Sequence, residues 1–176
     1  MKKSQISPSG LERVLKEQDF IVSKTDLKGR ITYGNRAFAD YAGYTEAEFL
    51  GQAHSLVRHP DMPRAVFKLL WDRISQHQEV FAYVKNMAKD GSHYWVIANV
   101  TPSYNVAGEL VGYFSVRRRP NAKALPAVTA LYKKMRELED VPDAREGMRL
   151  SAEYLAAQLA ENNTDYDQFV LALEAL

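Results

Sequence analysis

Two periodicities run along this chain, and the switches between them mark its elements. Phe20 to Asp26 (FIVSKTD) and Ile31 to Gly34 (ITYG) are β-branched, aromatic and alternating, the pattern of half-buried strands. Asp26-Leu27-Lys28-Gly29-Arg30 between them is turn chemistry, so the pair is expected to form a hairpin. The pattern then becomes helical. Asn35 stands at an N-cap position for residues 36–41, with Gly43 as the closing residue. Thr45-Glu46-Ala47-Glu48 reads as a capping box for a second short helix that stops at Gly51. In Pro63 to Ile74, the side chains Val66, Phe67, Leu70, Trp71 and Ile74 recur at helical spacing. Period two returns in Val80–Met87, His93–Thr101 and Leu110–Arg117, separated by the turns Lys89-Asp90-Gly91-Ser92 and Asn105 to Glu109. This order predicts an α+β domain: a five-stranded antiparallel sheet with short helices on one face.

The flanks differ from this domain. Residues 11–18 (LERVLKEQ) read as a short helix or a loosely ordered lead-in. Beyond about residue 120 the pattern is helical, in Ala127–Leu138, Ala144–Glu161 and Asp165–Leu176, broken by Pro142 and by Asn162-Asn163-Thr164. Three segments are therefore expected: a lead-in over 1–18, a domain over 19–119 and a C-terminal helical extension over 120–176. The extension carries apolar stripes (Leu150, Tyr154, Leu155, Leu159; Phe169, Leu173, Leu176) on helices too short to stand alone. Those stripes must be covered by the sheet, by each other, by a second copy in a homodimer, or by a signalling partner.

Composition narrows the function more than the fold. The 176 residues include no cysteine, which excludes disulfides and thiolate chemistry. A formal net charge of +1 gives no bulk attraction to nucleic acid or to an anionic membrane. No apolar run approaches the roughly 20 residues of a membrane helix, and the basic N-terminus lacks the apolar stretch of a secretory signal, so a cytoplasmic protein is expected. No nucleophile motif, phosphate loop or zinc-protease pattern is present, and the chain is not expected to be an enzyme. No histidine pair has metal-ligand spacing.

One stretch fits no regular element. His54-Ser55-Leu56-Val57-Arg58-His59-Pro60-Asp61-Met62-Pro63 is polar, fixed by two prolines, and placed directly before the long helix. Such a segment is a poor core element and a plausible pocket wall. Arg58 could instead pair with Asp61 and hold the loop shut.

These features together resemble a PAS domain over residues 19–119. Asp26 to Asn35 is similar to the family's first hairpin and capping Asn. Gly43-Tyr44-Thr45-Glu46-Ala47-Glu48 with Gly51 is similar to its G-Y-x-x-x-E-x-x-G signature, and Lys85-Asn86, Lys89-Asp90-Gly91 and Tyr94-Trp95 to its second hairpin. Val57 to Pro63, with Trp71, Val84-Lys85-Asn86 and Gly91 to Val96, resembles more narrowly the sensory domain of bacterial aerotaxis receptors. That resemblance implies non-covalent FAD and a redox or oxygen sensor. It also implies a site built from Asn35, Arg58, His59, Trp71, Phe81, Asn86 and Trp95. Asn86 would meet the pyrimidine edge of the ring, since an amide both donates and accepts. Arg58 and His59 would meet the pyrophosphate or ribose. Asn35 is a ring contact or simply a helix cap, and periodicity alone makes Trp71 a core residue. Tyr94 and Trp95 point to opposite faces, so at most one lines the pocket. Flavin-binding relatives carry a Trp near Val80 and Phe81, and Phe81 replaces it only if its ring faces the pocket. Haem, held by His54, His59, His77 or His93, is the competing cofactor. A PAS interaction module with an empty pocket is the competing function. Ala130 to Met135 resembles the segment after such a domain in chemoreceptors, so the chain is expected to be a stand-alone sensor or a fragment whose output lies elsewhere.

Overall fold

A computed structural model describes residues 6–176; residues 1–5 of the expected lead-in lie outside the described residues. The strands are β1 (Ile21–Thr25), β2 (Ile31–Gly34), β3 (Val80–Met87), β4 (His93–Tyr104) and β5 (Leu110–Arg118). They form one antiparallel sheet in the order β2-β1-β5-β4-β3. Strand β4 runs three residues further than the pattern predicts, through Pro102. Val100 is the last residue of β4 that β3 flanks, so Pro102 sits on an edge, where a missing N–H is tolerated.

Helices α1 (Arg36–Ala42), α2 (Glu46–Phe49) and α3 (Arg64–Ser75) fill the long connection between β2 and β3. The local chemistry works as read. The Asn35 side chain accepts from Phe38 N, Gly43 closes α1 at φ 71°, and Thr45 and Glu48 form the capping box of α2. The polar stretch contains one 3₁₀ turn, His54–Val57, and then a tight turn at Pro60-Asp61 in which Met62 N donates to the His59 carbonyl at 3.1 Å. Arg58 pairs through its main chain with Asn86 and so closes part of the β3 edge.

The lead-in is neither helical nor loose. It is an extended strap: Ser9 N donates to Gly91 O, Arg13 N to His93 O, and His93 N to Leu11 O. Leu15 is buried beneath it. Pairing with the β3–β4 hairpin satisfies backbone groups that an isolated eight-residue helix could not hold in water.

Beyond β5, α4 (Leu125–Glu139) and α6 (Tyr166–Glu174) pack on the sheet face opposite α1–α3, while α5 (Ala144–Glu161) packs against α4 and α3. Helix α4 starts two residues earlier than expected because Pro126 occupies its first turn, where a proline costs no hydrogen bond. Tyr132 of α4 donates to the Tyr83 carbonyl of β3 at 2.8 Å, and the Tyr83 hydroxyl donates to Glu174 of α6. Glu174 also accepts from Asn121 N and pairs with Arg118 at 2.7 Å. The apolar stripes of the extension are thus covered largely by the chain itself: Val128, Tyr132, Met135, Leu155, Tyr166, Val170 and Leu173 are buried. Among the described residues, no helix is long and apolar enough to cross a membrane.

Removing the Tyr132 hydroxyl tests this docking. Tyr132→Phe leaves the Tyr83 carbonyl unsatisfied in a buried setting and is expected to lower stability by about 1–3 kcal/mol in urea denaturation. A loss within error would mean that water replaces the hydroxyl and that the helices are not held there.

Candidate functional site

A cavity of about 450 Å³ lies between α3, the turn after α2 and the inner face of the sheet. Its walls are apolar where α3 contributes Phe67, Leu70, Trp71 and Ile74, and where Val84, Ala98 and Val100 form the floor. The ring of Trp71 is held edge-on to Tyr113, with centroids 5.5 Å apart, and lies over Gly29, where a Cβ would come within 2.9 Å of it. Glycine at φ 73° in the β1–β2 turn therefore serves both the turn and the passage of the indole.

Polar groups lie at two edges of this floor. At the β3 edge, Asn86 and Arg58 both line the cavity, brought level by their main-chain pairing. The Arg58 guanidinium stacks on Phe67 at 4.1 Å. At the other edge, Ser23 of β1 stands opposite Ser115 of β5, with Arg117 two residues along the same strand. Arg117 donates to Ser23 Oγ at 2.9 Å and to His54 Nε2 at 2.7 Å. A guanidinium only donates, so His54 accepts at Nε2 and carries its proton on Nδ1. Arg117 is 5% exposed and, among the described residues, has no carboxylate partner. Burial lowers its pKa to about 10, opposed by the nearby Tyr94. Burial, and then the charge of Arg117, lower that of His54 to about 3. The Ser115 hydroxyl is buried without any hydrogen-bond partner.

Residues 31–117 match the family model described as PAS fold. This part of the chain is a PAS domain. Over 119 residues the chain is 41% identical to the aerotaxis receptor of Escherichia coli (strain K12), an alignment covering 68% of this chain and 23% of the receptor. It is 31% identical over 115 residues to the nitrogen fixation regulatory protein of Klebsiella pneumoniae, covering 65% and 23%. The chain thus spans under a quarter of the length of these curated relatives. Among solved structures, a light-oxygen-voltage domain studied with a flavin analogue superposes at a TM-score of 0.56 and 19% identity, over 67% of this chain and 88% of that one. The light state of the Aureochrome1 light-oxygen-voltage domain gives 0.52 at 23%, over 69% and 92%. These two share the fold.

Within this PAS domain, three of the residues expected at a site meet around one cavity: Arg58, Trp71 and Asn86. Four do not. Asn35 is fully engaged as a staple, its Oδ1 accepting from Phe38 N and Val22 N and its Nδ2 donating to Phe20 O. His59 is buried beside the loop rather than on the cavity wall, edge-on to His93 and accepting from Asp61 N. Phe81 and Trp95 lie on the far face of the sheet. Val84 and Asn86 face the cavity, and strand alternation sends Phe81, Tyr83 and Lys85 the other way. Trp95 instead lines a second cavity of about 590 Å³ beneath α4, with Tyr132 and charged side chains of both signs. Phe81 therefore does not stand in for the missing Trp. The alternative Arg58–Asp61 pair does not form, because Asp61 binds Lys85 Nζ at 2.6 Å.

Sequence reading missed the second polar edge. Ser23, His54, Ser115 and Arg117 come from three separate segments: the register of β1 against β5 aligns the serines and Arg117, and the 3₁₀ turn brings His54 to them. Arg117 sits in the run Arg117-Arg118-Arg119, which reads as a solvated strand end, yet alternation buries the first arginine and exposes the second. That alternation within a charged run was the available signal.

The depressed histidine gives a test with a defined sign. Between its ordinary value of 6.5 and about 3, the denatured chain binds a proton at residue 54 that the native chain does not. Native stability therefore falls as pH drops through that window, by at most about 1.4 kcal/mol per pH unit from this group. His54→Asn is expected to flatten this limb in urea titrations from pH 7.5 to 4.5, leaving a pH-independent offset above 7. Parallel curves for the two proteins would show that His54 titrates normally.

Proposed function

We propose that this chain is a sensor that binds FAD non-covalently in the α3-side cavity and relays redox state or oxygen tension to its C-terminal helices or to a partner protein. The observation that carries the reading is the buried guanidinium of Arg117, without a carboxylate, beside the orphaned hydroxyl of Ser115. A charge removed from water without a counter-charge costs several kcal/mol, and an electron-rich or anionic ligand atom placed there offsets it. The rest of the cavity suits a flat heteroaromatic ring with apolar faces and polar edges: an apolar floor and α3 wall, Arg117 and Ser115 at one edge, Asn86 at the other. Arg58 and Lys28 also line the cavity and supply positive charge for a pyrophosphate. The similarity to the aerotaxis receptor supports the same reading.

Flavin in this site would supply reversible electron exchange with a change in charge or protonation at the ring. Arg117 favours the more negative state by direct Coulombic attraction in a dry setting. Asn86, whose amide has no protein partner among the described residues, can exchange a donated for an accepted hydrogen bond as the ring edge changes. Both residues stand on strands that carry the helical extension on their other face, which gives the change a route outward. A cytoplasmic homodimer, or a separate signalling protein, would be the receiver.

Haem fits less well. His54 is the histidine that lines the cavity, and its Nε2 is held by Arg117 and Ser23 while its Nδ1 carries the proton. His77 bonds Tyr104, and His59 packs on His93.

The absorption spectrum of the purified chain tests the proposal. A flavin spectrum, native or after adding FAD, is the expected result, and a chain that stays colourless with added FAD sinks it. Asn86→Ala and Arg117→Met should each weaken FAD retention, Arg117→Met by about tenfold or more, the scale of one hydrogen bond to a charged group. Unchanged retention in both variants would place the ligand elsewhere.

A further inference from the structure

Helix α3, which supplies the apolar wall of the cavity, has no cap of its own. Pro63 precedes it and offers no side-chain acceptor. The first N–H groups of the helix are satisfied instead by Glu139, the last residue of α4, from the extension beyond the PAS domain. Glu139 Oε2 accepts from Arg64 N at 2.9 Å, and Oε1 accepts from Ala65 N at 3.0 Å. The carboxylate side chain is fully buried and also receives Arg64 Nε at 3.2 Å and Arg136 Nη1 at 3.0 Å. Arg64 Nη2 returns to the Glu139 carbonyl at 2.9 Å. The negative end of α4 therefore meets the positive end of α3, with a carboxylate placed where the helix dipole favours it. Helix α5 closes the joint from behind, where Gly147 lies so near that a Cβ would fall 2.9 Å from the Glu139 carbonyl oxygen.

This joint adjoins the cavity. Arg58, the cavity-wall residue stacked on Phe67, lies within the field of Glu139, Arg136 and Arg64. One carboxylate thus binds two guanidiniums, Arg64 and Arg136, and its first partner Arg64 begins the helix that carries Phe67, on which Arg58 stacks. Burial alone would raise the pKa of Glu139, but the donors from Arg64, Ala65 and Arg136 outweigh it and hold the group ionised.

We propose that Glu139 is a positioning residue that couples the cavity to the C-terminal helices: it fixes the α3 wall, and through α3 it senses what occupies the cavity. The coupling runs at the N-terminus of α3, separate from any route through the sheet. Being a linkage between two sites, it is reciprocal, so loosening the joint loosens the wall, and filling the cavity tightens the joint. The first half holds whether or not the ligand is a flavin; the second half rests on the FAD reading.

Hydrogen exchange on the full chain separates the cases. Without ligand, Glu139→Ala should accelerate exchange about ten- to hundredfold in both the last turn of α4 and the first turn of α3, the scale of losing hydrogen bonds to a charged group, while β5 keeps its protection. Glu174→Gln, which loosens α6 at the sheet, should leave the first turn of α3 unchanged. In the wild type, added FAD should slow exchange at the end of α4, and in Glu139→Ala it should no longer do so. If Glu139→Ala does not fold, Glu139→Gln keeps one acceptor and should show the same pattern at smaller size. An unchanged α3, or equal acceleration in α3 and β5, would overturn the proposal, since Glu139 would then act on α4 alone or on global stability. FAD that protects α3 but not α4 in the wild type would also overturn it. Failure to bind FAD at all removes the flavin reading, while the ligand-free comparison still decides the role of Glu139.

Discussion

Strand β3 is buried on both faces, and its two-residue period decides what the two halves of this molecule can share. Val84 and Asn86 are given to the cavity under α3, while Tyr83 and Lys85 are given to the helices of the extension and to Asp61. A single strand therefore forms the floor of one cavity and the seat of two helices, α4 and α6. Neighbouring residues on it cannot shift independently, because each side chain is packed against a different layer. In a close-packed interior such a strand transmits displacement rather than absorbing it.

The second constraint is electrostatic. Arg117 projects from β5 into the interior with only a serine and a neutral histidine as partners. Burial, and then the charge of Arg117, depress the basicity of His54, so the cluster stays singly positive over the ordinary pH range. A fold selected only for stability would remove that guanidinium or supply a carboxylate, as it does for Arg64 and Arg136 at Glu139. The contrast between these two buried clusters is informative. One is neutralised in place and belongs to the architecture. The other is left open toward a cavity, and it distinguishes this cavity from the larger one under α4, where charges of both signs line the wall.

How much of this could be read beforehand follows from the range of the interactions involved. Caps, turns and alternation act within a few residues, so the five strands, the Asn35 cap, the Thr45–Glu48 box and the α3 face were legible in the chain. The lead-in was not, because its partner at Gly91 to His93 lies some 80 residues away and contributes only backbone groups, which leave no residue-type signature. The same limit explains the site. Arg58, Trp71 and Asn86 could be named because each sits in a distinctive local context, whereas Ser23, Ser115 and Arg117 acquire meaning only from the register of β1 against β5. Phe81 and Trp95 failed for a narrower reason: a strand assigned correctly still leaves its facing undecided by one residue.

The joint between α3 and α4 joins these arguments. A helix preceded by proline must find its first acceptors elsewhere, and here they come from a residue 75 positions later, in a segment the sheet alone would not require. If the extension served only to cover the far face of the sheet, contacts such as Tyr132 on Tyr83 and Glu174 on Arg118 would suffice. Carrying a buried carboxylate past the sheet edge to the end of the opposite layer adds desolvation cost that those contacts do not incur. The arrangement is economical only if the position of α3 and the position of α4 need to be decided together, which is the condition for a cavity on one face to control helices on the other.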